Sequence, residues 1–432
     1  FSARNSSSTY NHRRSLIIAL GLFGVFAVWP SGTWHHLMLK YGLLLLASVA
    51  LLPAITRLAL RGLAWLTGSF FLTYIIQDAS HQVGRRYLPL AAFYLALTTS
   101  SSAALMVASF ESSFTGFLDQ ILQADFYIRY RHEQTERIDT WLTDNRRKLD
   151  YAPFQHTVAK YQRDTLYVSV YTSEQQWASL HLKQGLPARQ MPDEGHCYIN
   201  EQFALKHRLG LQDEITFTQG QASLTCVVAG VYYEYGTQIL GLRLTADSAL
   251  NALSGWRETG YGLYLAPGSS IDRQTLRSEL DLSEDQLYQP QEIKRQALAV
   301  FEQTFLLTQA IAFVLLAIAC FGLFLSVNSL ELARKSDLYI LSSLGYSRLA
   351  LFTHMLAQWL LMILAIVALS WPMAIVLANA LVGQILPASF GWSMPLVLDV
   401  EAFALTSAMG LILLVPALAL PLYRLNARGR FL

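Results

Sequence analysis

A membrane bundle of about six helices with an inserted extracytoplasmic α+β domain is the fold class the sequence predicts, and three observations predict it. Hydrophobic residues make up 53% of the 432 and charged ones only 14%, with a positive mean hydropathy, an apolar excess beyond what a soluble core uses. Six apolar runs approach the roughly 20 residues that a helix needs to cross hydrocarbon. One long polar stretch, 111–301, separates the third run from the fourth.

Residues 1–14 read as a cytoplasmic N-terminal segment. Its opening, Phe1 to Tyr10, is polar and Ser-rich, unlike a secretory signal peptide, and without an initiator Met it suggests a processed or trimmed product. Runs 15–30 and 37–56 form a two-span hairpin, 15–56, around a tight Ser31, Gly32, Thr33, Trp34 loop. The segment 57–86 carries Leu58, Leu60, Leu63, Trp65, Leu66, Phe70, Phe71, Tyr74 and Ile75 between arginines. That pattern suits an amphipathic helix lying in the cytoplasmic interface. Its competitor, a further crossing, would place Arg85 and Arg86 outside.

The third span is 87–110. Its hydroxyl run Thr98, Thr99, Ser100, Ser101 and Ser102 is of the small, polar kind that lets membrane helices approach and hydrogen-bond across an interface, although such residues also bond their own backbone. After the insertion, three closing spans fill 302–423 as runs 304–330, 349–371 and 403–423, the last containing Pro416 and Pro421. A weaker run, 372–386, reads as a continuation, a re-entrant piece or an interfacial helix. Residues 424–432 form a cytoplasmic tail.

Lys and Arg in short loops stay cytoplasmic, so the sorting of charge sets orientation. Arg13 and Arg14 precede the first span, and Arg57, Arg61, Arg85 and Arg86 lie between the second and third. Arg334, Lys335 and Arg348 follow the fourth, and Arg424, Arg428 and Arg430 the sixth. With six spans all four clusters fall on one side, which places both termini in the cytoplasm and 111–301 outside.

The insertion is long enough for one ordinary domain. Phe114, Phe117, Leu118, Ile121 and Leu122 recur at helical spacing. Strand signals follow at 125–128, 165–171, 196–200, 214–218, 224–233 and 262–266, with helical stretches near 201–209 and 272–280. Cys197 and Cys226 both fall on expected strands in a compartment that permits disulfides, so a bridge or two buried thiols are both open readings. Cys320 lies in a span as a small apolar packer.

A catalytic constellation is missing. The sequence has no Walker A, HExxH or GxSxG pattern, so it builds neither a phosphate cradle nor those hydrolytic centres. His35 and His36 lack further ligands for a metal. No catalytic residue, cofactor, metal or nucleic-acid partner is expected.

The informative segment is 331–348, which continues the fourth span with Glu331, Arg334, Lys335 and Asp337. Leu338, Leu341 and Leu344 then lie on one stripe, Gly345 stops the helix, and Ser347 before Arg348 caps the next one. Such an elbow suits docking into a groove of a soluble partner, and equally an ordinary helix connection. From Ala333 to Arg348, with its Leu344, Gly345, Tyr346, Ser347 turn, the segment resembles the signature of FtsX-like, MacB-type ABC transporter permeases. Ser336 and Asp337 depart from that pattern's acidic position, and Tyr346 replaces a small residue.

The resemblance extends to the order of one span, an extracytoplasmic domain and three closing spans over 87–423, and to the domain segment 194–236. Residues 109–114 and 123–127 are similar to the second half of long, two-module permeases. It implies a C-terminal module whose joining spans are 10–56, a non-catalytic subunit moved by a cytoplasmic ABC ATPase dimer that docks on the elbow, and a second permease module or copy. It further implies the bacterial inner membrane, and a lipid, lipoprotein, peptide or drug as substrate or force transmission alone, with an extracytoplasmic or lipoprotein partner. The competing class is a membrane receptor with a ligand-binding outer domain.

Overall fold

Long apolar runs and short alternating ones sort into two units in the computed structural model, which describes residues 12–66, 70–185, 195–333, 343, 345 and 347–427. The helical unit takes residues up to Ser109, Thr304–Ile385 and those from Pro395. The sheet unit takes Phe110–Gln303 and Leu386–Met394.

Helices α1 (His12–Val28), α2 (Trp34–Leu66), α3 (Phe70–Gln82) and α4 (Tyr87–Ile121) open the chain. The helical unit has an apolar core, with Leu60, Ile76, Phe93, Leu97, Leu316, Leu323, Trp359 and Ile363 among its fully buried members. Among the described residues, four helices are long and apolar enough to cross a membrane: Trp34–Leu66, Tyr87–Ile121, Pro290–Leu330 and Leu349–Phe390. The apolar helices Ser15–Val28 and Val400–Pro416 are shorter.

One boundary differs from expectation and one open reading is narrowed. Residues 57–66, expected to open a separate helix, are the end of α2, which passes through Pro53 unbroken. Leu52, Leu60 and Ala64 supply the reason, since they continue one buried stripe into the core. Only α3 remains of the separate helix, and it buries Ile75, Ile76 and Ala79 against protein. Of the readings open for 372–386, the structure has the continuation of the preceding helix: α11 (Arg348–Ala380) runs through Pro372, and a π-helical turn, Leu381–Ile385, follows before α12 (Leu386–Phe390). Proline is tolerated inside such helices when neighbours absorb the freed backbone groups. The last helix is α13 (Val400–Ala427).

In the sheet unit, alternation builds a ring of strands. β2 (Leu149–Tyr161), β3 (Asp164–Tyr171), β8 (Leu240–Thr245), β5 (His196–Asn200), β7 (Ala222–Tyr232) and β6 (Glu214–Gln219) pair in that order. β6 returns to β2 at Lys160 and Thr218. Leu166, Val168 and Val170 of β3 recur every second residue, so all three face the same interior as Ile215, Phe217, Ile199 and Leu242. The first half of β2 pairs instead with β9 (Arg257–Leu265), then β1 (Phe126–Ile128) and β10 (Leu287–Tyr288). β4 (Leu182–Gly185) edges β7. Ile138 and Leu142 of α5 (Thr135–Asp144) and Leu276 and Leu280 of α9 (Arg273–Leu280) cover that extension.

β2 escaped the sequence reading because Pro153 and the register shift between Pro153 and Gln155 interrupt its alternation. Cys197 and Cys226 form a disulfide between β5 and β7, their Cα atoms 5.8 Å apart. Gly260 of β9 is where the backbones come closest, since a Cβ there would lie 2.1 Å from the Ile128 carbonyl oxygen. Gly260→Ala must push β1 away from β9. A loss of about 1 to 3 kcal/mol is expected, as for other overpacked sites, visible as a lower melting temperature of the purified protein.

Candidate coupling site

The helix α10 (Pro290–Ala333) runs without a break to the first residues of the elbow. Of the elbow residues singled out above, Arg334, Lys335, Asp337, Leu338, Leu341, Leu344 and Tyr346 lie outside the described residues, as do the side chains of Glu331 and Arg348. Gly345 has φ +96°, a conformation that favours glycine. Ser347 is extended, and its hydroxyl accepts the Ala350 N–H at 3.2 Å, capping α11.

The first turns of α11 are held by α3 through groups the sequence reading did not single out. Asp78 accepts a hydrogen bond from Gln358, its Oδ2 lies 3.4 Å from His354 Nε2, and Gln358 and His354 are 2.8 Å apart. Tyr74 stacks on the His354 ring at 5.6 Å. Arg86, counted only for its charge in the sequence reading, is buried with its guanidinium 4.2 Å from the Trp359 ring centroid. A signal was present: His354 and Gln358 sit four residues apart on one helix face, and Asp78 interrupts an apolar helix.

Thr98, Ser100, Ser101 and Ser102 are buried within the helical unit, and Ser100 donates to the Ala312 carbonyl of α10 at 3.0 Å. Thr99 bonds back to Leu95 and Ala96. The run therefore packs α4 inside its own chain. Ser100 and Ser102 are both buried by the chain's own helices.

In the sheet unit the groups that matter converge on the corner between β5 and α7 (Glu201–His207), where Asn200 caps α7 through the Phe203 N–H at 3.0 Å. Glu201 is 1% exposed. Its carboxylate accepts from Lys183, from the Ser393 N–H at 2.8 Å and from the Ser393 hydroxyl at 2.6 Å. Burial first, then the Glu201 charge, raise the Tyr233 hydroxyl pKa. Burial first, then Tyr233 and Glu201, raise that of Tyr235. Both are neutral hydroxyls near neutral pH. Among the described residues no His, Cys, Asp or Glu group is placed to hold a metal.

The decisive comparison concerns the helices on either side of the elbow. Residues 310–429 match the FtsX-like permease C-terminal family. The matched segment begins near the middle of α10 and takes in the elbow, α11 and α13. The elbow signature read at 333–348 lies inside it. Among solved structures, the periplasmic region of MacB from Actinobacillus actinomycetemcomitans is similar with a TM-score of 0.27 and 13% identity, over 42% of this chain and 95% of that one. A domain of a candidate permease from Porphyromonas gingivalis is similar with a TM-score of 0.23 and 13% identity, over 32% of this chain and 65% of that one. No curated protein matches the chain.

Proposed function

We propose that this chain is the permease subunit of an ABC transporter in a bacterial inner membrane, driven by a separate cytoplasmic ATPase dimer. The observation that carries the reading is the FtsX-like match over 310–429, which contains the charge-flanked elbow 331–348. ATP-driven closure of the dimer moves the elbow, α10 and α11 carry that movement, and the inserted domain 111–301 responds outside. The cargo class is a lipid, a lipoprotein or another hydrophobic molecule, or the response is force alone. An ATPase dimer presents two docking grooves and this chain has one elbow with the signature, so a second copy or a homologous module completes the complex. Both termini lie in the cytoplasm, following the arginine clusters. A disulfide in the inserted domain fits an oxidising compartment.

Topology supplies the test. With Cys320 replaced and the Cys197–Cys226 bridge left intact, single Cys labels at exposed positions of 210–222 react with an impermeant thiol reagent added outside intact cells. Labels near Arg85 and Arg428 stay unreacted until the membrane is opened. Equal labelling of both sets from one side breaks the six-span arrangement and, with it, the cytoplasmic elbow.

A further inference from the structure

The segment Leu386–Met394 belongs to the sheet unit, although the residues before and after it belong to the helical unit. It leaves from the π-helical turn that ends α11 and returns at Pro395 toward α13. On the return, Ser109 of α4 donates to the Val397 carbonyl at 3.4 Å and accepts its N–H at 3.0 Å, which roots that end in the helical unit.

Its grip on the sheet unit is built from three kinds of contact. Ser393 gives both its N–H and its hydroxyl to the buried Glu201 carboxylate, which Lys183 neutralises while also donating to the Ser393 hydroxyl at 2.9 Å. Trp392 packs edge-on between Phe110 at 5.6 Å and Tyr235 at 5.4 Å. Gly391, at φ +81°, lies flat on Gln202, whose Cγ would be 3.4 Å from an added Cβ.

A connection between two membrane helices needs no buried carboxylate from a distant strand corner. An unpaired charge in that place would be costly, so the carboxylate, the ammonium and the Ser393 donors form one mutually dependent set. We propose that residues Leu386–Met394 form a strap clamped onto the β5–α7 corner by Glu201 and Lys183, giving α11 and α13 their own route for moving the sheet unit beside that through α4 and α10. The transmission rests on the permease reading above; the clamp does not. Glu201 directly follows Asn200, which ends β5, and β5 is tied to β7 by the Cys197–Cys226 bridge. A pull on Ser393 therefore enters the ring of strands at a stapled strand rather than at a loop.

Hydrogen exchange on the purified full-length chain tests the clamp. The double variant Glu201→Leu with Lys183→Met removes acceptor and cation together, leaving no buried charge behind. Peptides covering Leu386–Met394 are expected to exchange about tenfold faster, while β3 and β8 keep their protection. Glu201→Gln, which retains an acceptor for Ser393, recovers most of the slow exchange. Unchanged exchange at Leu386–Met394 overturns the clamp, and so does loss of protection throughout the ring, because Glu201 would then be a residue of the fold rather than an anchor.

The transmission is read separately, as stimulation of the reconstituted partner ATPase. The double variant lowers it severalfold and Glu201→Gln restores it. Full stimulation with a released strap overturns the route, as does failure to find any ATPase partner, which would remove the permease reading while leaving the exchange result standing.

Discussion

Changing Leu341 and Leu344 together to Asp abolishes stimulation of the partner ATPase and leaves the chain inserted in the membrane. The two leucines share a stripe with Leu338 in a stretch bounded by Arg334, Lys335 and Arg348. On docking, each Leu side chain removed from water is worth roughly 2 kcal/mol, and a carboxylate in its place adds a desolvation cost. Together the changes weaken docking by about 6 kcal/mol or more, roughly four powers of ten in affinity. Both positions lie between the apolar runs 304–330 and 349–371, so neither changes what the bilayer holds. Reconstituted vesicles with the paired ATPase give the measurement, and an undiminished stimulated rate would remove the elbow as the contact.

Replacing Cys197 and Cys226 by Ala costs about 3 to 4 kcal/mol in the sheet unit. The bridge closes a loop of sequence separation 29, and chain-entropy reasoning assigns that range to loops of this length. Both sulfurs are buried in the core of the strand ring, so Ala avoids adding a polar group there. For a unit of this size the melting temperature should fall on the order of 10 °C, and reducing the wild-type protein should reproduce most of the shift. A variant that melts with the oxidised wild type would show that the ring of strands does not depend on its staple.

The long apolar helices and most strands were legible because their signals are periodic and local. Runs 304–330 and 349–371 are apolar over their whole length, and β3 alternates Leu166, Val168 and Val170 without interruption. Two lapses have the same cause, a signal that tertiary packing overrides. The run read as 37–56 extends on to Leu66 and that read as 349–371 extends on through Pro372, because buried neighbours continue the stripe. Pro153 likewise concealed the first half of β2, where a bulge absorbs the broken alternation.

The candidate site was legible only where it is contiguous in the chain. The elbow is one run of residues, and its cap at Ser347 could be read from the sequence and is observed as a hydrogen bond to Ala350. Asp78 with His354 and Glu201 with Ser393 are separated by hundreds of residues and joined by folding alone. Single charges of that kind carry no periodic signal, and their meaning comes from burial and from the partner across the gap. The hydroxyl run at 98–102 shows the converse: composition does not say which helix it faces, and folding brings Ser100 to the Ala312 carbonyl of the same chain.

Affinity purification of the full-length chain from its native membranes, followed by identification of what remains bound, tests the central claim most directly. The account predicts a co-purifying cytoplasmic ATPase that carries a Walker A sequence, together with a second copy of this chain or a homologous module. The ATPase is lost from the preparation when Leu341 and Leu344 are changed to Asp. Recovery of the intact, membrane-inserted chain with no nucleotide-hydrolysing partner, from membranes whose other ABC complexes survive the same extraction, would contradict it.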